Sequence, residues 1–207
     1  MTVSITPCSK NNPERGRPGL LGRVLAWLAL GLALLCALGP ALAAEPEIRY
    51  AELVSNDEQY VINADVDFEL GQRLEDVLEH GIPLHFVAEC IITKGRWYWW
   101  DEKIVERRLP FRVTYHALTR QYRLSVGSIA QSFDSITGAL AAIKRIRNWG
   151  VVDADRLKGG ESYNVSLRVR LDKSQLPKPF QVTALGSREW DLETPWLSWT
   201  MLAGAAR

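Results

Sequence analysis

The chain has 207 residues, of which 47% are hydrophobic and 24% are charged, and its formal net charge is +1 at pH 7. This composition fits one ordinary globular domain and excludes both an intrinsically disordered chain and a string of several domains. The nearly balanced charge also argues against a general nucleic-acid binder, whose binding surface is strongly basic.

The first 43 residues have the pattern of a secretory signal peptide. Basic residues precede an apolar run over residues 20–38, and Gly39-Pro40 and Ala41-Leu42-Ala43 follow it. A basic start, an apolar centre and small residues at the exit predict cleavage after Ala43, which leaves a single β-rich domain over residues 44–207. The alternative is an uncleaved inner-membrane anchor that leaves the domain facing the periplasm, because the run approaches the roughly 20 residues that span a bilayer.

Cleavage changes the charge and the cysteine content of the chain. It removes four basic residues and one acidic residue, so the mature protein would carry a net charge of about −2. Of the three cysteines only Cys90 remains. The exported domain therefore has no internal disulfide and must be held together by its hydrophobic core.

Two-residue alternation of apolar and polar side chains predicts most of the strands. The predicted strands cover residues 48–54, 60–68, the two limbs of a long hairpin within 82–115, 122–126, 163–171, 180–185 and 194–201. The long hairpin turns at Lys94-Gly95-Arg96, and Cys90 lies on the apolar face of its first limb. This hairpin organises the chain, because its apolar face has to be buried against a second layer.

Two amphipathic helices are predicted from apolar residues that recur at helical spacing. The first carries Leu70, Leu74, Val77 and Leu78, and Gly81 and Pro83 end it. The second covers residues 135–149, with Ile136, Leu140, Ile143 and Ile146 facing inward, and a loop over 151–160 follows. The sequence therefore predicts a mainly β protein, an antiparallel β-sandwich of about seven to nine strands with two amphipathic helices.

The candidate ligand or partner surface is the aromatic turn formed by Trp97, Tyr98, Trp99 and Trp100. Aromatic rings on strands stack on sugar rings or sit at a membrane interface. The alternative is that Trp97 and Trp99 share one face, which completes the sandwich core. Three further tryptophans, Trp190, Trp196 and Trp199, can pack against the same cluster.

No catalytic, cofactor or metal motif is present in the sequence. His85 and Glu89 share one strand face and His116 lies further on, but no metal-ligand spacing joins them, so we expect no metal. We expect Cys90 to be an inert buried thiol, because His85, its one local candidate base, lies on the opposite face. The basic run over residues 144–147 is interpreted as a solvated helix face.

In these features the chain resembles the domain-of-unknown-function 4390 family of exported proteobacterial proteins. The resemblance covers about residues 48–201. It rests on the order of the following segments: the signal peptide, Asp65-Val66-Asp67-Phe68, Gly81-Ile82-Pro83-Leu84, Trp97-Tyr98-Trp99-Trp100, Leu109-Pro110-Phe111, Tyr122-Arg123-Leu124-Ser125 and a Trp-rich end. The family has no established activity, so the resemblance implies no catalytic residue and no cofactor. It implies an envelope partner, such as a sensor kinase of the nitrogen-regulation type.

The sequence thus favours an exported, periplasmic binding or interaction module without enzymatic activity, which the resemblance links to an envelope signalling system as an accessory. Two alternatives stay open. One is a sugar- or lipid-binding sandwich that uses the aromatic turn, and the other is an enzyme whose site assembles from scattered residues. Nucleic acid is not an expected partner, and a membrane is one only through an uncleaved N-terminal segment.

Overall fold

The computed structural model describes residues 45–56, 58–95, 102–184 and 186–204. In these ranges the strands are β1 (Glu47–Ser55), β2 (Gln59–Asp67), β3 (Leu84–Lys94), β4 (Glu102–His116), β5 (Gln121–Val126), β6 (Ile129–Phe133), β7 (Arg145–Asp153), β8 (Ser162–Leu171) and β9 (Leu197–Leu202). The α-helices are α1 (Gln72–Glu79), α2 (Ile136–Lys144) and α3 (Lys178–Ala184). The predicted mainly β, antiparallel fold is confirmed.

The strands form two antiparallel sheets. The small sheet has the order β1-β2-β7, and the large sheet has the order β6-β5-β4-β3-β8-β9. The predicted long hairpin, β3 and β4, lies at the centre of the large sheet. Strand β8 is distant in sequence but pairs with β3 on its other side, so β3 is flanked on both edges.

A single hydrophobic cluster joins the two sheets into a sandwich. Strands β2, β3 and β8 bury every second side chain, as their alternation predicts. The fully buried members include Ile62, Ala64, Leu84, Ala88, Cys90, Ile92, Val165, Leu167 and Val169. The rings of Phe68, which follows β2, and Phe86 on β3 stack with their centroids 5.8 Å apart. The other side of the large sheet is left to polar residues.

The helices differ from the prediction in two places. The predicted helix over residues 135–149 is too long, because α2 ends at Lys144 and β7 begins at Arg145. Strand β7 reaches Asp153 and pairs with β2, so the predicted loop over 151–160 begins later. The predicted strand over 180–185 is wrong, since these residues belong to α3 up to Ala184.

Two further features complete the fold. Strand β6 was not predicted; four of its five residues are exposed, so it has no apolar alternation to detect. Ser135 caps α2, because its hydroxyl accepts a hydrogen bond from the backbone N–H of Gly138 at 3.2 Å. Among the helices of the described ranges, none is long and apolar enough to cross a membrane.

Candidate functional site: the outer face of the large sheet

The aromatic turn of Trp97, Tyr98, Trp99 and Trp100 lies outside the described residues, so its interpretation as a ligand surface stays a prediction. The three C-terminal tryptophans are described. Trp190 is fully buried, Trp199 packs against the core cluster, and Trp196 stays 40% exposed. Trp196 therefore belongs to a surface, whereas the other two are part of the core.

The outer face of the large sheet is the side that points away from the hydrophobic core. Its side chains alternate with the core residues of β3, β4, β5 and β8. They are His85, Val87, Glu89, Ile91, Glu106, Arg108, Pro110, Arg112, Thr114, His116, Arg123, Ser125, Ser166, Arg168 and Arg170. Five of these residues are arginines, so the face is rich in cations although the whole chain is nearly neutral.

Glu89 is the buried centre of this face, with only 4% of its surface exposed. The strand register places Arg108 of β4 and Arg168 of β8 directly opposite it. Arg168 donates to Oε2 of Glu89 through Nε at 3.2 Å and Nη2 at 2.5 Å. Arg170 donates to Oε1 at 3.0 Å, and Nε of Arg108 lies 3.4 Å from the same oxygen. We call these four residues the Glu89 network.

Further carboxylates surround the three arginines of the Glu89 network. Arg168 contacts Glu193 at 2.5 Å, Arg108 contacts Glu106 at 3.1 Å and Arg170 lies 3.8 Å from Asp172. Lys103 binds Glu106 at 2.8 Å, so four basic residues face four carboxylates. The Glu89 network is therefore electrically balanced only together with the carboxylates and the lysine that surround it.

The guanidinium group of Arg168 also lies 4.3 Å from the centroid of the Trp196 ring, in a cation–π contact. The segment that carries Trp196 is fixed to β8 by Thr194. Its backbone N–H donates to the carbonyl of Val169 at 2.8 Å, and its hydroxyl accepts from the N–H of Val169 at 3.0 Å. The partly exposed indole is thus held at the edge of the Glu89 network.

The pKa of Glu89 reflects two opposing effects. Burial disfavours the charged carboxylate and raises the pKa, but hydrogen bonds from Arg170 and Arg168 lower it. The arginines prevail, so the pKa of Glu89 lies below its ordinary value. Glu89 is therefore ionised at neutral pH.

A cleft of about 440 Å³ opens at the other end of the large sheet, at β4 and β5, and most of its lining side chains belong to the outer face. Its lining consists of Gly81, Arg112, Thr114, Tyr115, His116, Arg123 and Ser125. Arg112 pairs with Ser125 and Thr114 pairs with Arg123 in the strand register, which places the two arginines diagonally across the strand pair. We call this site the arginine cleft.

The arginine cleft differs from the Glu89 network in its charge. None of the lining residues is a carboxylate. Within the described part of the chain, Arg112 and Arg123 form no ion pair, whereas all three network arginines do. The free positive charge of the outer face is thus concentrated in the cleft.

His85 lies beside the cleft, opposite Arg112 in the strand register. Burial lowers its pKa, the charge of Arg112 lowers it further, and Asp172 partly opposes both effects. The imidazole is therefore mostly uncharged at neutral pH and adds no positive charge beside Arg112. Its position completes the outer face between the Glu89 network and the cleft.

The residues considered for metal binding and catalysis are not assembled into a site. His85 and Glu89 share the outer face as predicted, but Glu89 is bound by arginines and His116 lies at the far end of β4, opposite Gln121. The described ranges contain no group of three His, Cys, Asp or Glu side chains that could hold a metal ion. Cys90 is fully buried on the inner face, and burial raises its pKa to about 12.

The basic run over residues 144–147 is not a solvated helix face, and that interpretation is wrong. Lys144 ends α2 and binds Asp67 at 3.1 Å, while Arg147 lies on β7 and binds Asp65 at 2.5 Å. Both basic residues therefore fasten the helix–strand junction to β2.

Sequence reasoning missed both the Glu89 network and the arginine cleft. In the sequence, Arg168 and Arg170 occupy polar positions of the predicted strand over residues 163–171. Nothing local shows that this strand pairs with β3, because Arg168 lies 79 residues after Glu89. The cleft did have a detectable signal. A hairpin of two consecutive predicted strands already brings Arg112 near Arg123.

Comparison with known proteins gives one match. The family model described as "Domain of unknown function (DUF4390)" matches residues 43–200. This is well over half of the chain, so the chain belongs to the DUF4390 family, and the predicted membership is confirmed. No curated protein and no solved structure gives a significant match.

Proposed function

We propose that the protein is an exported binding or interaction module of the periplasm that acts without catalysis. The observation that carries this proposal is the outer face of the large sheet, where a network of charged side chains lies beside a cleft whose two arginines form no ion pair with any described residue. The signal-like N-terminus supports export.

The fixed conformation of the side chains on the outer face favours binding. Side chains that are already fixed lose less conformational entropy when a partner docks, so more of the contact energy appears as affinity. Glu89 and Trp196 fix the Arg168 side chain from two sides. Arginine and tryptophan are also the side chains that most often dominate protein interfaces.

The chemistry of the same groups favours binding over catalysis. A general acid or base works best when its pKa lies near neutral pH, but the pKa of Glu89 is lowered away from that range. A cysteine nucleophile needs an accessible thiolate, whereas Cys90 is buried and its pKa is raised to about 12. Neither Glu89 nor Cys90 is thus tuned for catalysis, which supports the proposal.

The partner that suits this proposal is an envelope protein. The family resemblance implies such a partner, for example a sensor kinase. Its docking surface would be acidic or rich in hydrogen-bond acceptors, because the unpaired charge of the outer face is positive. Nucleic acid does not suit a mature chain with a net charge of about −2.

Photo-crosslinking in cells tests the proposal. A crosslinking amino acid replaces Pro110 or Ser198, two exposed positions on the outer side of the large sheet, and replaces Glu52 on β1 as the matched control. We expect one envelope protein to crosslink at both outer positions but not at the control, and the full chain to fractionate with the periplasm. Equal crosslinking at all three positions, none at the outer positions, or a cytoplasmic location would overturn the proposal.

A further inference from the structure

We infer that the arginine cleft binds a phosphate group, as a phosphate monoester or diester. This inference rests on the proposed function, because it takes the outer face as a binding surface and names the ligand chemistry of one part of it. It goes further by assigning recognition to Arg112 and Arg123, with Ser125 and Thr114 beside them.

The strand register brings the two arginines to one ligand. They occupy diagonal positions on neighbouring antiparallel strands, a separation that long side chains bridge easily. Both line the same cleft, and both are exposed. Two guanidinium groups can therefore approach one ligand from the β4 side and the β5 side at the same time.

The lining offers mainly hydrogen-bond donors. Each guanidinium group is a fixed fork of N–H donors that carries a positive charge and cannot accept a hydrogen bond. The hydroxyl of Ser125 and the ring of His116 add further donors beside the forks, whereas the hydroxyl of Thr114 donates to the backbone carbonyl of Arg123 at 3.5 Å. A ligand that satisfies this lining must be rich in acceptors and negatively charged.

The arrangement favours phosphate over carboxylate. A carboxylate presents two oxygens in one plane, which one guanidinium fork already satisfies. The non-bridging oxygens of a phosphate group point in tetrahedral directions, so two guanidinium forks can bind it from different sides and the Ser125 hydroxyl can share one of these oxygens. The cleft volume of about 440 Å³ leaves room for the organic part of a phosphate ester.

The phosphate group can come from two sources. One is a soluble phosphate ester, and the other is the headgroup of an anionic phospholipid at the membrane surface. Both present non-bridging phosphate oxygens to Arg112 and Arg123, so the experiment has to separate them.

The first arm of the test uses soluble probes. Calorimetric titration of the full chain at low salt measures binding of inorganic phosphate and of glycerol 3-phosphate. We expect saturable binding that Arg112→Gln and Arg123→Gln each weaken by about tenfold or more, which is the usual effect of losing one charge-assisted hydrogen-bonding group. Arg156→Gln is the matched control, because Arg156 is exposed and lies outside the cleft.

The second arm uses vesicles of phosphatidylglycerol and of phosphatidylcholine. Every variant has the same N-terminal segment, so a difference between variants reports the cleft alone. Binding to phosphatidylglycerol that falls about tenfold in both cleft variants supports the inference with a lipid source, whereas arginine-dependent binding of glycerol 3-phosphate alone supports a soluble source.

The inference is overturned if no probe binds in a manner that depends on Arg112 and Arg123, or if Arg156→Gln weakens binding as much as they do. Circular dichroism of each variant checks that the exposed substitutions leave the fold intact. If crosslinks at Ser198 persist without phosphate binding, this inference fails and the proposed function stands. If phosphate binds through Arg112 and Arg123 but no protein crosslinks at Ser198, the phosphate site stands and the proposed protein interaction fails.

Discussion

Arg168 donates two hydrogen bonds to Glu89 across the β3–β8 strand pair, at 3.2 Å from Nε and 2.5 Å from Nη2. Glu89 is 4% exposed although it points away from the hydrophobic core. A carboxylate is buried in this way only when cationic donors surround it, and Arg168, Arg170 and Arg108 fulfil that condition. The centre of the outer face is therefore an ion network that the sheet register creates.

The first prediction is that Glu89→Gln destabilises the fold. The substitution keeps the shape of the side chain but leaves Arg168 and Arg170 close together without their shared counter-charge. Removing one member of a buried ion pair usually costs about 3 kcal/mol of the free energy of unfolding, which urea denaturation measures.

Glu106→Gln is the matched control for this prediction. Glu106 also binds an arginine, Arg108, but it is exposed and solvent screens its charge. We expect a clearly smaller loss of stability than for Glu89→Gln. Equal losses of stability in the two variants would show that burial does not strengthen the ion pairs of the Glu89 network.

The second prediction concerns the pH dependence of the Glu89 contribution. The pKa of Glu89 in the folded chain lies below its ordinary value of 4.5, so unfolding makes the carboxyl group easier to protonate. The stabilisation is therefore fully present above about pH 4.5 and is lost as the pH falls through the lower folded-state pKa.

The difference in unfolding free energy between the wild-type chain and Glu89→Gln isolates this one group. We expect the difference to be constant between pH 6 and pH 8, about the neutral range, and to shrink as the solution becomes acidic. A difference that grows on acidification would mean that the folded-state pKa of Glu89 is raised rather than lowered.

The sequence predicted the sandwich well, because strands β2, β3 and β8 each alternate between a buried and a polar face. The sequence-based prediction failed where the local spacing of apolar residues favours one element and strand pairing in the folded chain favours another. Ile146 continues the helical spacing of Ile143 and also points inward from β7, so the spacing did not show where α2 ends. Pairing with β2 decides the outcome, since Ile146 lies opposite Ala64.

The other failures have similar causes. The short apolar run before residue 185 fits a strand or a helix equally well, and Pro179 is acceptable in the first turn of α3. The candidate site depends on pairings between distant segments. The contact of Glu89 with Arg168 needs β8 beside β3, and no local pattern specifies which strands become neighbours.

The third prediction is that Cys90 does not react in the native protein. The thiol is fully buried, and burial raises its pKa to about 12, so almost none of it is thiolate at neutral pH. Maleimide labelling followed by peptide mapping should modify the Cys90 peptide only after denaturation. Peptide mapping keeps this thiol distinct from Cys8 and Cys36 if the N-terminal segment is retained. Rapid native labelling of Cys90 would show that the core opens around β3.

The fourth prediction is the position of the mature N-terminus. The apolar run followed by Ala41-Leu42-Ala43 predicts cleavage after Ala43. Mass spectrometry of the protein from cells should find a chain that begins at or beside Ala44. Replacing Ala43 with a bulky residue should block processing, and a control substitution at Glu47 should not. An intact chain in the membrane fraction would instead establish an anchored domain.

The last prediction concerns the aromatic turn, where the two interpretations differ in what a substitution removes. If Trp97 and Trp99 face the core, changing either to alanine deletes a large buried side chain and should lower the free energy of unfolding by about 3 to 5 kcal/mol. If the rings form an exposed platform, the same change should alter stability by less than about 0.5 kcal/mol and weaken ligand binding. We expect a split, because strand alternation places Trp97 and Trp99 on one face and Tyr98 and Trp100 on the other. Thermal melts of the four alanine variants distinguish these outcomes, and four melting temperatures close to that of the wild-type chain would identify the turn as a recognition surface.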